Sequence, residues 1–346
     1  MRTIGSILVA LLAGAALASD LRPRGDLRAN AGAVQALAYS PDGRQIAAGY
    51  ADETIRIWDV ASGAQERRIS VRAPASDGRL PAAQTRGSVD VLSYSPDGKM
   101  LAEASSHGVA RGALRLWDAE AGRLLRPLSR SESVRTAVFC PDGRHLLTDA
   151  LKAGGAEPVV GVRDLESGAV QRELSAPRLA VSSVVFSGDG ARVAVCGGLR
   201  AHAWEYESGR LLRSLEGHKK AVTAVALSPD GKLIATGDAA GVILVRNLDS
   251  GEKVYEIETK HQRITSLLFS PTGRTLISGG ADRGIMLWVA STGREHARLY
   301  AHLDQVTGLA VSPDGLTLAS GSLDGRINLW NLREPPAPEA EDEDGD

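Results

Sequence analysis

The 346-residue chain has only two cysteines, Cys140 and Cys196, and their spacing matches neither a metal-binding nor a redox motif. Neither sign of charge dominates. The 40 Lys and Arg against 42 Asp and Glu leave a formal charge of −2, which argues against a general nucleic-acid binder. Past the first twenty residues no apolar run approaches membrane-spanning length. The sequence also lacks a nucleophile elbow, a phosphate-cradling loop, a metal cluster and paired histidines. No catalytic residue, cofactor or metal ligand is therefore assigned, and a non-enzymatic protein is expected.

The one long apolar stretch opens the chain. In MRTIGSILVALLAGAALASD, Arg2 precedes an apolar run from Ile4 to Leu17 that ends in Ala16-Leu17-Ala18. This is the layout of a secretory signal peptide, residues 1–18, cleaved after Ala18. The competing reading, a retained anchor, suits the segment less well because it is short and carries Gly5, Ser6 and Gly14. Cleavage implies an exported protein, periplasmic or secreted, with no membrane span left. The Ala-, Arg- and Gly-rich composition points to a bacterium with GC-rich DNA.

Glycine, at 38 residues, is abundant, and it punctuates a repeat. A turn tetrapeptide recurs as SPDG at 40–43, 95–98, 228–231 and 312–315, CPDG at 140–143, SGDG at 187–190 and SPTG at 270–273. Pro and Asp suit the centre of a type I turn and Gly its exit, so each reads as a hairpin. Each is followed by an apolar strand such as IRIWDVASG, LRLWDAEAG, VGVRDLESG or INLWNLREP. A unit of about 40 residues with four short strands describes a propeller blade, and there are seven units.

With its turn, WD-like pair and inter-repeat histidines (His218, His261, His302), the chain over 21–333 resembles the WD40 repeat family. The resemblance implies an all-β, seven-bladed WD40-type β-propeller over 19–333, mostly a non-enzymatic interaction platform. It also implies a buried hydrogen-bonded tetrad in each intact blade: His302, Ser320, Asp324 and Trp330 in the last, and His261, Ser278, Asp282 and Trp288 in the sixth. Blade 1 keeps Asp52 and Trp58 but has Ala48 and Asn30 at the other two positions. Blade 5 keeps His218 and Thr236 but has Ala240 for Asp and Arg246 for Trp, and blade 3 has Arg163 for Trp. Looser packing is accordingly expected in blades 1 to 5.

The same frame assigns all five tryptophans to one repeat position, and places Phe139, Phe186, Phe269, Tyr39 and Tyr94 just before the turns, all core. It separates the two cysteines, so two free buried thiols are expected. The last repeat supplies only three strands before Pro335-Pro336, and Leu21–Leu27 matches an outer strand, so the N-terminal strand should close the last blade. After Arg333 the sequence EPPAPEAEDEDGD carries seven acids and no base. Residues 334–346 read as a disordered acidic tail, either solubilising or screening a weakly basic face.

Repeat length varies on one face only. From the apolar residue after the turn to the Trp position takes 12 steps in blades 1, 5, 6 and 7, but 16 in blade 2 and 17 in blade 3. Extra residues also lie in 72–86. These insertions mark Val71–Arg86, Ser105–Gly112 and Asp149–Glu157 as loops of a binding face. Gln35, Asp90, Arg135, Arg263 and Gln305 should line the channel mouth there, with Tyr50 as an aromatic unspent by the core, and Tyr50 and Arg135 as its anchors. A protein or peptide partner is expected, with the chain a monomer or part of a hetero-complex. The alternatives are an exported propeller hydrolase or lactonase, and a small-ligand sensor using the central channel.

Overall fold

The computed structural model describes residues 22–71, 87–107, 111–129, 134, 136–151, 158–176 and 180–335. The signal peptide 1–18 and residues 336–346 of the tail lie outside them. Alternating apolar residues broken by glycine turns give short strands, and each repeat forms one antiparallel four-stranded sheet, seven sheets in all. Blade 1 spans 34–70, blade 2 87–129, blade 3 137–174, blade 4 183–215, blade 5 222–258, blade 6 264–300 and blade 7 306–331. Within blades 1 to 6 the strands run in order from the channel to the rim. Blade 7 takes its outer strand from Gly25–Arg28, with Leu27 opposite Ile327. The N-terminal closure expected from the sequence is thus present, by a strand that begins at Gly25.

There is no single core. The buried apolar residues fall into seven clusters, each between two adjacent blades. Between blades 7 and 1, for example, Leu27, Ile327 and Leu329 meet Val34, Ile46 and Trp58. Blade 7 therefore needs the Gly25–Arg28 strand both to pair its edge and to bury Leu27, at roughly 1.5–3 kcal/mol for such a side chain. The expected looser packing of blades 1 to 5 is not found. Ile46, Leu101, Leu146 and Val193 are as fully buried as Leu276 and Leu318 of blades 6 and 7. Their apolar sandwiches are complete even where the polar network is not. Cys140 and Cys196 are free and buried, as expected.

The recurring turn is held by its own side chains. Ser40 Oγ donates to Asp42 Oδ1 at 2.6 Å and accepts the Gln45 amide at 2.9 Å, while Gly43 turns the chain at φ 72°. A Cβ on Gly43 would sit 3.2 Å from Pro313 of the neighbouring blade, so the turns also pack proline against glycine around the ring. Three turns depart from the motif: Cys140 replaces the serine in blade 3, and the other two are repaired from elsewhere. In blade 4 Gly188 replaces the proline. There Arg192 reaches across to blade 5, donating to the Gly231 carbonyl at 2.8 Å and to Asp249 at 2.7 Å.

In blade 6 Thr272 replaces the aspartate, and the missing carboxylate arrives from the end of the chain. Glu334 accepts from Thr272 Oγ1 and pairs with Arg274 at 2.7 Å. Burial acts to raise its carboxyl pKa, but the Thr272 and Arg274 hydrogen bonds help to hold it below the usual range. The sequence places Glu334 in the disordered tail, but it belongs to the propeller and ties the chain that follows blade 7 back to blade 6. Glu334→Gln, which keeps the size and loses the charge, should cost about 1–2 kcal/mol. Deleting 336–346 should leave the melting temperature unchanged, and deleting 334–346 should lower it. Equal melting temperatures for the two truncations would remove this role from Glu334.

Candidate interaction face

Each blade presents its second-to-third-strand turn on the face opposite the proline turns, beside the crossover that leads in from the preceding blade. In blades 6 and 7 the expected tetrads lie directly beneath. Trp330 Nε1 donates to Ser320 Oγ at 2.9 Å, Ser320 is 2.8 Å from His302 Nε2, and His302 Nδ1 is 3.2 Å from Asp324. One proton arrangement satisfies the chain: indole to hydroxyl, hydroxyl to a neutral imidazole, imidazole N–H to carboxylate. Burial holds the His302 pKa below its ordinary value against the pull of Asp324. Asp324 in turn accepts the amides of Leu303 and Arg326 at 2.8 and 2.9 Å. Blade 6 repeats the pattern, with Trp288 and His261 each 3.0 Å from Ser278 and His261 bonded to Asp282.

Blade 5 corrects the reading of Ala240. Its carboxylate is Asp238, 3.0 Å from His218 Nδ1, while His218 Nε2 is 2.8 Å from Thr236. Asp238 sits at the repeat position of Gly280 in blade 6, where a Cβ would come within 2.1 Å of His261 Nδ1. In blade 5 the side chain there bonds the histidine, whereas Ser322 of blade 7 turns to the Asp304 carbonyl at 3.0 Å.

Tyr50 occupies that same position in blade 1, which has no histidine, and it takes the place of one. This overturns its assignment as an exposed interface aromatic. Its side chain is 0% exposed, in the cluster between blades 7 and 1. Burial pushes its phenol up to about 12, with Trp58 and Arg56 acting the other way. Arg56, 5.4 Å over the Tyr50 ring, ion-pairs Asp52 at 3.1 Å and so replaces histidine as the partner of that carboxylate. Among the described residues Trp58 Nε1 has no hydrogen-bond partner. Blade 2 inverts the chemistry. Glu103 stands at the serine position, fully buried, where it accepts from Trp117 Nε1 at 3.3 Å and pairs with Arg115 at 3.1 Å. Burial raises its pKa, and Arg115 opposes the rise. In blade 3 Arg163 is buried, donating to the Gly168 carbonyl at 2.7 Å.

The face above differs from the uniform turn face. Gln35 and Asp90 are the bulged residues at the starts of the inner strands of blades 1 and 2. The equivalent residues of blades 5, 6 and 7 are threonines that bond backbone carbonyls. Thr307 reaches the Val34 carbonyl of blade 1 at 2.8 Å, and Thr265 the Gly279 carbonyl at 2.9 Å. Arg263 and Gln305 lie two residues earlier on their crossovers, Arg263 exposed and Gln305 partly so, their carbonyls accepting the Ala281 and Leu323 amides. The six expected residues therefore divide: Gln35 and Asp90 at the bulge, Arg263 and Gln305 on the crossovers, Tyr50 in the core, and Arg135 outside the described residues.

Of the expected loops, 72–86, 108–110 and 152–157 also lie outside. Ser105–Gly112 is otherwise strand. His107 pairs with Arg111 in a hairpin of two eight-residue strands, and Leu151 pairs with Pro158 in blade 3. Part of each insertion lengthens the blade instead of forming a loop.

On the turn side, two recesses of about 490 and 470 Å³ flank the channel, lined by Tyr39, Tyr94, Phe139 and Val138 on one side and by Phe186, Leu268, Phe269 and Val311 on the other. Among the described residues, no carboxylate, imidazole, ammonium or guanidinium lines either. Among the described residues, no group of three or more His, Cys, Asp or Glu is placed to hold a metal ion, and no helix is long and apolar enough to cross a membrane.

Because Ser320 depends on an indole donor and Trp58 has no acceptor, the two tryptophans should respond differently to loss of the N–H. Trp330→Phe should destabilise by about 1–3 kcal/mol more than Trp58→Phe. Equal denaturant midpoints would show that the tetrad bond contributes nothing. Acid should act in two stages. His302 takes up its proton in the unfolded chain first, so stability falls as pH drops below the ordinary histidine value of 6.5. Asp42, Asp97, Asp189 and Asp314, held below the ordinary 3.8 chiefly by their turn serines, retain their contribution above that value and lose it as pH falls through their lowered pKa values. Melting temperature against pH should show both declines, and a flat profile from neutrality to pH 4 would contradict the first.

No curated protein matches the chain. The family model for the WD domain, G-beta repeat, matches residues 21–59, 209–246, 251–289 and 293–331. Each match starts shortly before the outer strand of one blade and ends on the third strand of the next; together they take in blades 5 to 7 and leave out blades 2 and 3. Seven four-stranded blades, intact tetrads in two of them and four matched repeats place the chain in the WD40 repeat family.

Proposed function

We propose that this propeller is a non-enzymatic protein-interaction platform, exported by its leader 1–18, that binds a protein or peptide through the face opposite the proline turns. The observation that carries this reading is the contrast between the two faces. The turn face repeats one self-satisfied motif, two of whose departures are repaired in place. The other face changes from blade to blade, with longer hairpins in blades 2 and 3 and the bulge residues Gln35 and Asp90 where blades 5 to 7 have bonded threonines. WD40 propellers commonly bind proteins or peptides, and variable segments on one face of a repeat fold mark its binding side. A small apolar ligand in the channel recesses is the second reading, supported by their Phe and Val lining. Among the described residues their lining offers no carboxylate or imidazole, which weighs against hydrolysis there.

The test is capture of a partner from the cell envelope by the wild type, Asp90→Ala/Arg263→Ala and, on the turn face, Lys99→Ala/Lys232→Ala. Capture should be lost in the first variant and kept in the second. Loss in the turn-face variant alone would put the site on the wrong face. The purified native protein should begin at Ser19, and an intact Met1 would favour the retained anchor.

A further inference from the structure

We propose that the platform face takes an acidic peptide segment of its partner, laid across blades 5 to 7, with Lys220, Lys260, Arg263 and Arg283 holding its carboxylates and Leu303 and Leu323 its apolar side chains. The proposal rests on the platform reading and adds the chemistry of the partner and its position.

These residues share one continuous rim. The Ala239 amide in the blade 5 turn donates to Ala221 on the crossover after Lys220, at 2.9 Å. Thr259 donates to Gly241, Ala281 to Arg263 and Leu323 to Gln305, at 3.1, 3.1 and 3.0 Å. Crossover and turn thus alternate in contact from blade 5 to blade 7.

All four cations are exposed, and among the described residues none has an ion-pair partner within 4.0 Å. Many bases elsewhere do. On the turn face Arg123 faces Asp118, Arg192 Asp249, Arg210 Glu205, Lys253 Glu256 and Arg274 Glu334. The acids nearest the rim are committed inward: Asp238, Asp282 and Asp324 each bond a buried histidine. Glu258 and Asp304 are the exposed acids left there, so exposed cations outnumber exposed acids on the rim.

Apolar surface accompanies the charge. Leu303 is 64% and Leu323 36% exposed, both held in place by backbone bonds in blade 7. A nucleic acid or other uniform polyanion would gain nothing from these leucines, and the chain as a whole carries −2. A segment mixing acids and apolar residues uses both. The chain's own acidic end leaves from the turn face, beside Arg274.

The experiment measures binding of a labelled twelve-residue peptide of alternating Glu and Leu by fluorescence anisotropy, beside a Lys and Leu peptide and a duplex DNA of equal charge. The variants are Lys260→Glu/Arg263→Glu on the rim and Lys99→Glu/Lys232→Glu on the turn face. The acidic peptide should bind the wild type, lose about tenfold in affinity in the rim variant and in rising salt, and be unchanged in the turn-face variant. Absence of binding, equal binding of the basic peptide or of DNA, or loss in both variants would overturn the proposal. So would a concentration-dependent self-assembly that disappears on deleting 336–346, because the occupant would then be a second copy. If the envelope partner is captured by the rim variant as well as by the wild type, the acidic-segment proposal falls and the platform reading stands. Capture lost only in the turn-face variant removes both.

Discussion

Every blade of this protein is a sheet with two apolar faces and no core of its own. The interaction on which the rest depends is therefore the contact between neighbouring blades, and it must be made seven times without a gap. Leu27 carries the last of these contacts, since its strand both pairs with Arg326–Asn331 and fills the cluster between blades 7 and 1. An open ring would expose one edge and two apolar faces at once, a cost far larger than the loss of any one hydrogen bond. Glu334 adds a second tie in the same neighbourhood, from the end of the chain to blade 6.

Given closed apolar sandwiches, the polar network in each blade is free to vary. Blades 6 and 7 use histidine, serine, aspartate and tryptophan, whereas blade 5 moves its carboxylate to Asp238. Blade 1 substitutes Arg56 for the histidine and fills the vacated volume with Tyr50, and blade 2 buries an Arg115–Glu103 pair. What these solutions share is that a buried charge is paired and most buried donors are satisfied, which is the physical requirement. Orphaned atoms such as Trp58 Nε1 occur where apolar burial is complete and bears the stability alone.

The blade count, the turns and the closing strand were legible because they are local patterns: a tetrapeptide, an apolar alternation, a fixed distance to Leu27. Asp238, Tyr50 and Glu334 were not legible, because each fills a space or a bonding position left open by a residue distant in sequence. Tyr50 goes inside because Asn30 is not a histidine, and Glu334 folds back because residue 272 is a threonine. The exposed cations were visible as GHKKAV and TKHQRI between repeats, yet their lack of ion-pair partners is a property of the folded surface. Of the expected site residues, Gln35, Asp90, Arg263 and Gln305 do lie at the inner-strand starts and crossovers where the repeat frame puts them.

The account makes ring closure the condition for every blade, so the most direct measurement is native-state hydrogen exchange. It predicts that the slowest amides of the strand Gly25–Arg28 exchange only through global unfolding, with the same free energy and denaturant dependence as amides of the second strand of blade 7, Thr317–Ser322. If the Gly25–Arg28 amides exchanged far faster, while those of Thr317–Ser322 kept their full protection, blade 7 would be stable without its closing strand and the central claim would be contradicted.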